Sequence, residues 1–196
     1  MIMEDFSNKT VILASKSPRR KELLSALGIP FKVETKEVDE SFPATMRGAA
    51  AALYIANKKA EAFHLKRDDE ILIAADTIVC LEDRVLGKPK DYDEAFAMLR
   101  SLSGKRHEVI TAVTLKTLHK VRSFHDVTAV YFNELSDENI AYYIKTCEPY
   151  DKAGAYGIQE WIGAVAVDHI EGSYTNVMGL PTAKLYKELL RLPAKG

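Results

Sequence analysis

The chain has 196 residues, 47% hydrophobic and 28% charged, with 27 Lys and Arg against 28 Asp and Glu for a net charge of −1. A chain this long buries a substantial core, and this composition excludes a disordered or collagen-like polymer. The balanced charge argues against a globally basic nucleic-acid binder, and two distant cysteines, Cys80 and Cys147, in no CxxC pattern argue against a disulfide scaffold.

Val11–Ser15 reads as a short buried strand. Ser17 as N-cap and Pro18 at the first helical position then open a helix, which Leu23, Leu24 and Leu27 give an apolar face and Gly28 stops. Phe31–Thr35 is a second strand, residues 35–47 are polar and irregular, and Ala49–Phe63 is an Ala-rich helix. Glu70–Ala75 is a strongly apolar strand ending at Asp76, followed by a hairpin of Ile78–Leu81 and Val85–Leu86 around residues 82–84. Asp91 and Glu94 form a capping-box-like start for a helix to about Ser101. Val109–Thr117 and Val121–Phe132 alternate as paired strands, Ser136 caps a helix to about Lys145, Ala164–Ile170 is a strand and Pro181–Leu190 a final helix. Helices alternating with strands, with hairpins in the middle, predict an α/β fold with a mixed sheet. No repeat, linker or composition shift marks a boundary, so residues 1–196 are expected to form one domain. The absence of a long apolar run, the acidic N-terminus without a secretion-signal core and the two distant cysteines suit a soluble cytoplasmic protein.

The chemistry-bearing segments are polar and dispersed. In Ala14-Ser15-Lys16-Ser17-Pro18-Arg19-Arg20 a strand feeds a helix N-terminus, whose unpaired N–H groups and positive dipole end join Ser15, Ser17, Arg19 and Arg20 as a phosphate cradle. The same residues also read as a capped surface helix with solvated arginines. Asp76, closing an apolar strand, stands where open α/β sheets place their ligands, and equally where a strand-end Asp caps a turn. Glu37-Val38-Asp39-Glu40 offers hard oxygen ligands for a magnesium-like ion, or a solvated charge run. Lys88, between Gly87 and Pro89, could meet phosphate; Lys59 says nothing alone. Gln159, ending a Gly-rich loop from Asp151, could read a base edge with its amide. His107 opens a strand and is the pattern of a structural histidine as much as of a base. No P-loop, GxSxG elbow or HExxH motif is present. Several cations and carboxylates with little else reactive is the inventory of metal-assisted phosphate chemistry.

In order, Ser15-Lys16-Ser17-Pro18-Arg19-Arg20, Glu37–Glu40, Lys59-Ala60, Ala75-Asp76-Thr77, Gly87-Lys88-Pro89, Ser103–His107, Asp151–Gln159 and Gly179-Leu180-Pro181 resemble the Maf (septum-formation inhibitor) family over about Val11 to Leu190. The resemblance implies a nucleoside triphosphate pyrophosphatase that cleaves between the α and β phosphates and requires a divalent cation, magnesium or manganese. It implies a long mixed sheet with two lobes around a cleft, akin to the inosine-triphosphate pyrophosphatases, and a homodimer. By the same resemblance Asp76 is the proton acceptor, and Arg19, Thr77 and Gln159 set specificity. Ser15, Arg20, Lys59 and Lys88 are assigned to phosphate, and Asp39, Glu40 and Asp76 to the metal. SPRR, Thr77 and Gln159 match the dTTP- and UTP-hydrolysing subgroup better than the one acting on 7-methyl-GTP. The chain departs from the family at Glu160, where Gly is usual, which adds a carboxylate beside the expected base pocket. The expected partner is a nucleoside triphosphate, with neither nucleic acid nor membrane. A non-catalytic nucleotide-binding regulator of septum formation is the rival reading, but binding alone would need neither Asp76 nor the acidic loop.

Overall fold

The computed structural model describes residue 6 and residues 8–192. Residues 1–5, in the N-terminal stretch read as lacking a secretion-signal core, lie outside the described residues. The elements, in chain order, are β1 (Thr10–Ala14), α1 (Pro18–Ser25), β2 (Phe31–Val33), α2 (Gly48–Glu61), β3 (Glu70–Leu81), β4 (Arg84–Leu86), α3 (Tyr92–Leu102), β5 (Arg106–Lys116), β6 (Val121–Phe132), α4 (Asp137–Cys147), α5 (Trp161–Val165), β7 (Val167–Glu171), α6 (Tyr174–Val177) and α7 (Thr182–Leu190). The strands form one seven-stranded mixed sheet in the order β2-β1-β3-β5-β6-β7, with β4 paired to β3. β1 runs parallel to both β2 and β3, whereas the β3–β4 and β6–β7 pairs are antiparallel. The expected mixed α/β architecture is therefore present.

The caps are where local chemistry dictates them. Ser17 accepts from the Arg20 N–H with Pro18 at the helix start, and Ser136 and Asn139 of α4 form a reciprocal capping box. At α3 the Asp91 side chain caps Glu94 N–H, but Glu94 reaches back to the Lys90 N–H instead of closing on Asp91.

Several expected boundaries differ: β2 ends at Val33 and not Thr35, and β5 begins at Arg106 and not Val109. β3 does not end at Asp76: it continues through Thr77 to Leu81, because the hairpin with β4 pairs residues 79–81 and carries the same strand onward. Residues 161–165 are helical, and the strand begins only at Val167, where pairing with Phe132 of β6 starts.

The chain divides into two compact units: Met1–Asp76, Thr111–Asp126 and Gly179–Gly196 in the first, Thr77–Ile110 and Val127–Met178 in the second. In the first, Ala60 and Phe63 pack with Ile12, Ala14, Leu72 and Ala74. The small side chains Ala51, Ala52, Ala56 and Ala60 of α2 are all buried, which lets helix and sheet approach closely. In the second, Leu99, Leu102, Val130, Ile140, Tyr143 and Ile162 are among the core residues. Among the described residues no helix is long and apolar enough to cross a membrane.

Candidate active site

Asp76 owes its surroundings to the alternation of β3. A strand turns every second side chain to one face, and Leu72 and Ala74 pack with Ala60 and Phe63 beside α2. Asp76 is next in that series, two residues past the last β1 partner, Ala14 opposite Ala74. There the helix offers Lys59 instead of an apolar side chain. Lys59 Nζ donates to Asp76 Oδ1 at 2.7 Å and lies 2.8 Å from Glu40 Oε1. The Lys59 and Asp76 side chains are 15% and 10% exposed, Glu40 45%.

The end of β1 adds the other cations. Ser15 Oγ accepts from the Ser17 N–H at 3.2 Å and from Arg20 Nη1 at 3.4 Å. Arg20 Nε donates to the Gly179 carbonyl at 2.8 Å, which fixes the guanidinium plane. Burial draws the Arg20 pKa down; the carboxylates of Asp76 and Glu40 oppose that, and the charge of Arg19 adds to it. An anion at this place would relieve both the desolvation and the Arg19–Arg20 repulsion. Ser15, Arg19, Arg20, Glu40, Lys59 and Asp76 are thus brought together. Asp39 is not with them: its carboxylate accepts from the Ser41 hydroxyl at 2.5 Å, the Ser41 N–H at 3.0 Å and Lys58 Nζ at 3.0 Å. The Ser41 hydroxyl foremost, with these other bonds, holds the Asp39 carboxyl far below the usual carboxylate range.

Thr77, Lys88 and Gln159 belong to the second unit. Thr77 is half-buried on β3. Lys88 is exposed in the turn after β4, and the Gly87 carbonyl of that turn accepts from the Gly154 N–H at 3.0 Å, joining it to the loop that carries Gln159. Gln159 is exposed in a turn closed by Glu160 N–H to Gly157 O at 3.0 Å. The Glu160 carboxylate is engaged by the Tyr143 hydroxyl and by Lys152 Nζ, the latter at 3.0 Å. His107 is a core residue: its Nε2 meets Tyr156 Oη at 2.8 Å, and its ring stands edge-on to Phe132 and Tyr156. Burial pushes its pKa down to about 4, so it is neutral near pH 7.

The family model for Maf-like proteins matches residues 10–192. The chain belongs to the Maf-like protein family. Among relatives, this Maf-like chain is 53% identical over 193 residues to a protein of Phocaeicola vulgatus, covering 97% of this chain and 100% of that one. It is 50% identical over 191 residues to one of Flavobacterium psychrophilum, covering 97% and 98%. Both relatives are named dTTP/UTP pyrophosphatase. Among solved structures, the Staphylococcus aureus Ham1 protein aligns over 92% of this chain at 16% identity and a TM-score of 0.49, a distant likeness from which nothing about the site follows.

The family implies a divalent cation, and the donor set can be tested for it. Among the described residues no group of three or more His, Cys, Asp or Glu could hold a metal ion. Glu40 and Asp76 nevertheless converge on one cationic point, the Lys59 ammonium. Two carboxylates fit a magnesium-type ion that takes its remaining oxygens from water and a substrate's phosphates. Glu40 and Asp76 therefore fit the role in this Maf-like chain, whereas Asp39 is committed to Ser41 and Lys58.

Gly179 and Lys152 lie in motif segments, but the sequence assigns them no contact: the Gly179 carbonyl orients Arg20, 159 positions away, and Lys152 with the buried Tyr143, which lies in no motif, holds Glu160. Glu160 stands out in the sequence by its departure from the family pattern; Tyr143 does not stand out at all.

Proposed function

We propose that this chain hydrolyses dTTP and UTP to the monophosphate and pyrophosphate, acting with a magnesium or manganese ion in the cytoplasm. The observation that supports it most is Asp76, nearly buried, 2.7 Å from Lys59 Nζ and beside Arg20, in a chain about half identical to full-length relatives bearing the dTTP/UTP pyrophosphatase name. Cys80 and Cys147 are not joined in a disulfide, which suits a reducing compartment. Residues 1–196 are proposed to serve as one catalytic domain, and a homodimer remains part of the proposal.

Arg20, with its guanidinium fixed by Gly179 and Ser15, Arg19 and Lys59 bind the phosphates and offset the charge that grows on the leaving pyrophosphate. Lys88 is proposed as a further phosphate contact. Asp76 orients water toward the α phosphorus and accepts its proton as the new oxygen–phosphorus bond forms and the bond to the α–β bridging oxygen breaks. A cation bound at Glu40 and Asp76 would supply charge neutralisation on the triphosphate. Arg19, Thr77 and Gln159 are proposed to select the base. The Gln159 amide, with one acceptor and two donors, matches the N3–H and O4 of uracil or thymine.

Pyrophosphate release measured over dTTP, UTP, CTP, ATP and GTP tests the reading. The expected result is faster hydrolysis of dTTP and UTP than of the other three. Nucleotide binding with no release from any of them would favour the regulator; a purine preference would overturn the base assignment.

A further inference from the structure

Gln159 is exposed, yet the turn that carries it is tied down on three sides. Tyr143, fully buried on α4, accepts from the Gly157 N–H at 3.0 Å and donates to the Glu160 carboxylate. Lys152, whose side chain is 8% exposed, reaches the other Glu160 oxygen at 3.0 Å and Asp151 Oδ1 at 2.7 Å. The start and end of the 151–160 loop are therefore joined through one carboxylate, and the tyrosine hydroxyl joins that carboxylate to the backbone of the turn. Burial first, then the bond to Glu160, raises the Tyr143 pKa, so its hydroxyl keeps the proton it donates.

The backbone leaves no slack. A Cβ on Gly157 would stand 2.9 Å from Gln159 Nε2 and 3.0 Å from Glu160 Cδ, so both side chains lie against that glycine. A Cβ on Gly163 would collide with the Ile158 carbonyl, so the first turn of α5 presses on the same segment. Gly163 N–H also donates to the Glu160 carbonyl at 2.9 Å. A buried ion pair is a weak source of stability relative to apolar packing of the same volume. What a satisfied polar network gives instead is one conformation, which is what an exposed recognition side chain requires.

We propose that Glu160 is a positioning residue for base selection, holding the Gly157–Gln159 turn through Tyr143 and Lys152 so that the Gln159 amide presents one orientation to a pyrimidine. This rests on the reading that Gln159 selects the base. It differs from a purely structural role in what it moves: a loosened turn blurs discrimination between uracil and cytosine rings, which differ in their N3 and position-4 hydrogen bonding, more than it slows the reaction.

The test measures kcat and KM for dTTP, UTP and CTP, together with Tm, on the full-length protein and on Glu160→Ala, Glu160→Gln, Tyr143→Phe and Gln159→Ala. In Glu160→Ala the dTTP-to-CTP ratio of kcat/KM is expected to fall by about tenfold, with KM for dTTP changing more than kcat. Glu160→Gln keeps an acceptor for Tyr143 and is expected to recover most of the ratio. Tyr143→Phe leaves the Gly157 N–H without its acceptor and is expected to lower the ratio as Glu160→Ala does. Should Glu160→Ala not fold, the Glu160→Gln and Tyr143→Phe ratios decide. A lowered Tm with an unchanged ratio in the Glu160 and Tyr143 variants, while Gln159→Ala collapses it, overturns the positioning role and leaves base selection by Gln159 standing. An unchanged ratio in Gln159→Ala itself overturns both.

Discussion

Two lysines in this chain have the same ionic surroundings and different company. Lys59 lies between Glu40 and Asp76, and Lys152 between Asp151 and Glu160. Around Lys59 the carboxylates come from segments 36 residues apart, positions 40 and 76, and the neighbours are further cations, Arg19 and Arg20. Around Lys152 the carboxylates come from one ten-residue loop, and the cluster is closed by a tyrosine hydroxyl and a backbone amide. An ammonium held by side chains from distant segments can exchange partners when a polyanion arrives, since little backbone moves with it. An ammonium knitted into one loop holds that loop's shape. On the proposals above, the same pair of charges serves chemistry in one cluster and geometry in the other, depending on what completes the hydrogen bonding.

Removing the divalent cation separates the two clusters most sharply. Treatment with EDTA is expected to abolish pyrophosphate release, and added magnesium or manganese to restore it, with the Tyr143–Glu160–Lys152 cluster unaffected. Full activity after thorough chelation would leave the proposed basic residues, Arg19, Arg20, Lys59 and Lys88, to act on the triphosphate without a metal ion.

Next in size is Asp76→Asn, which removes the proposed base and keeps the shape. Turnover is expected to drop at least about 10²-fold, the lower end of what a positioned base contributes, while nucleotide still binds. Turnover close to wild type, measured beside binding by calorimetry, would take Asp76 out of the mechanism.

On the recognition side the expected change is smaller. Gln159→Ala leaves base groups unpaired at a cost of roughly 1–3 kcal/mol each where they are buried, so the preference for dTTP over CTP is expected to narrow by about tenfold. Steady-state kcat/KM on both nucleotides reads it directly.

The last effect concerns stability alone and leaves activity near neutral pH untouched. His107 has its pKa pushed from 6.5 down to about 4 by burial, so the unfolded chain takes up a proton that the folded chain refuses. Stability contributed by the neutral ring is present above pH 6.5 and is lost as pH falls toward 4, by up to about 3 kcal/mol. His107→Gln, which keeps a polar partner for Tyr156, is expected to flatten the fall of Tm across that window without changing nucleotide preference. Equal slopes in thermal melts of the two proteins would remove His107 as the cause.

The sequence by itself determined what depends on neighbours along the chain. Ser17 and Ser136 cap their helices because a hydroxyl reaches an amide three residues on. The apolar run at 70–75 reads as a strand, the polar Asp76 after it stands out, and a chain of ordered motifs marks Ser15, Arg19, Arg20, Lys59 and Gln159. That β3 passes through Asp76 was not legible, because a carboxylate in a strand is tolerated only when a partner such as Lys59 is supplied from elsewhere. Only the tertiary structure decided that Glu40 and not Asp39 meets Lys59, that Gly179 orients Arg20, and that Glu160 turns to Tyr143 and Lys152. The physical reason is common to all of these. Periodicity and capping act over three or four positions, whereas a charge finds its partner across space, and that partner is set by which faces α2, α4 and the sheet bury.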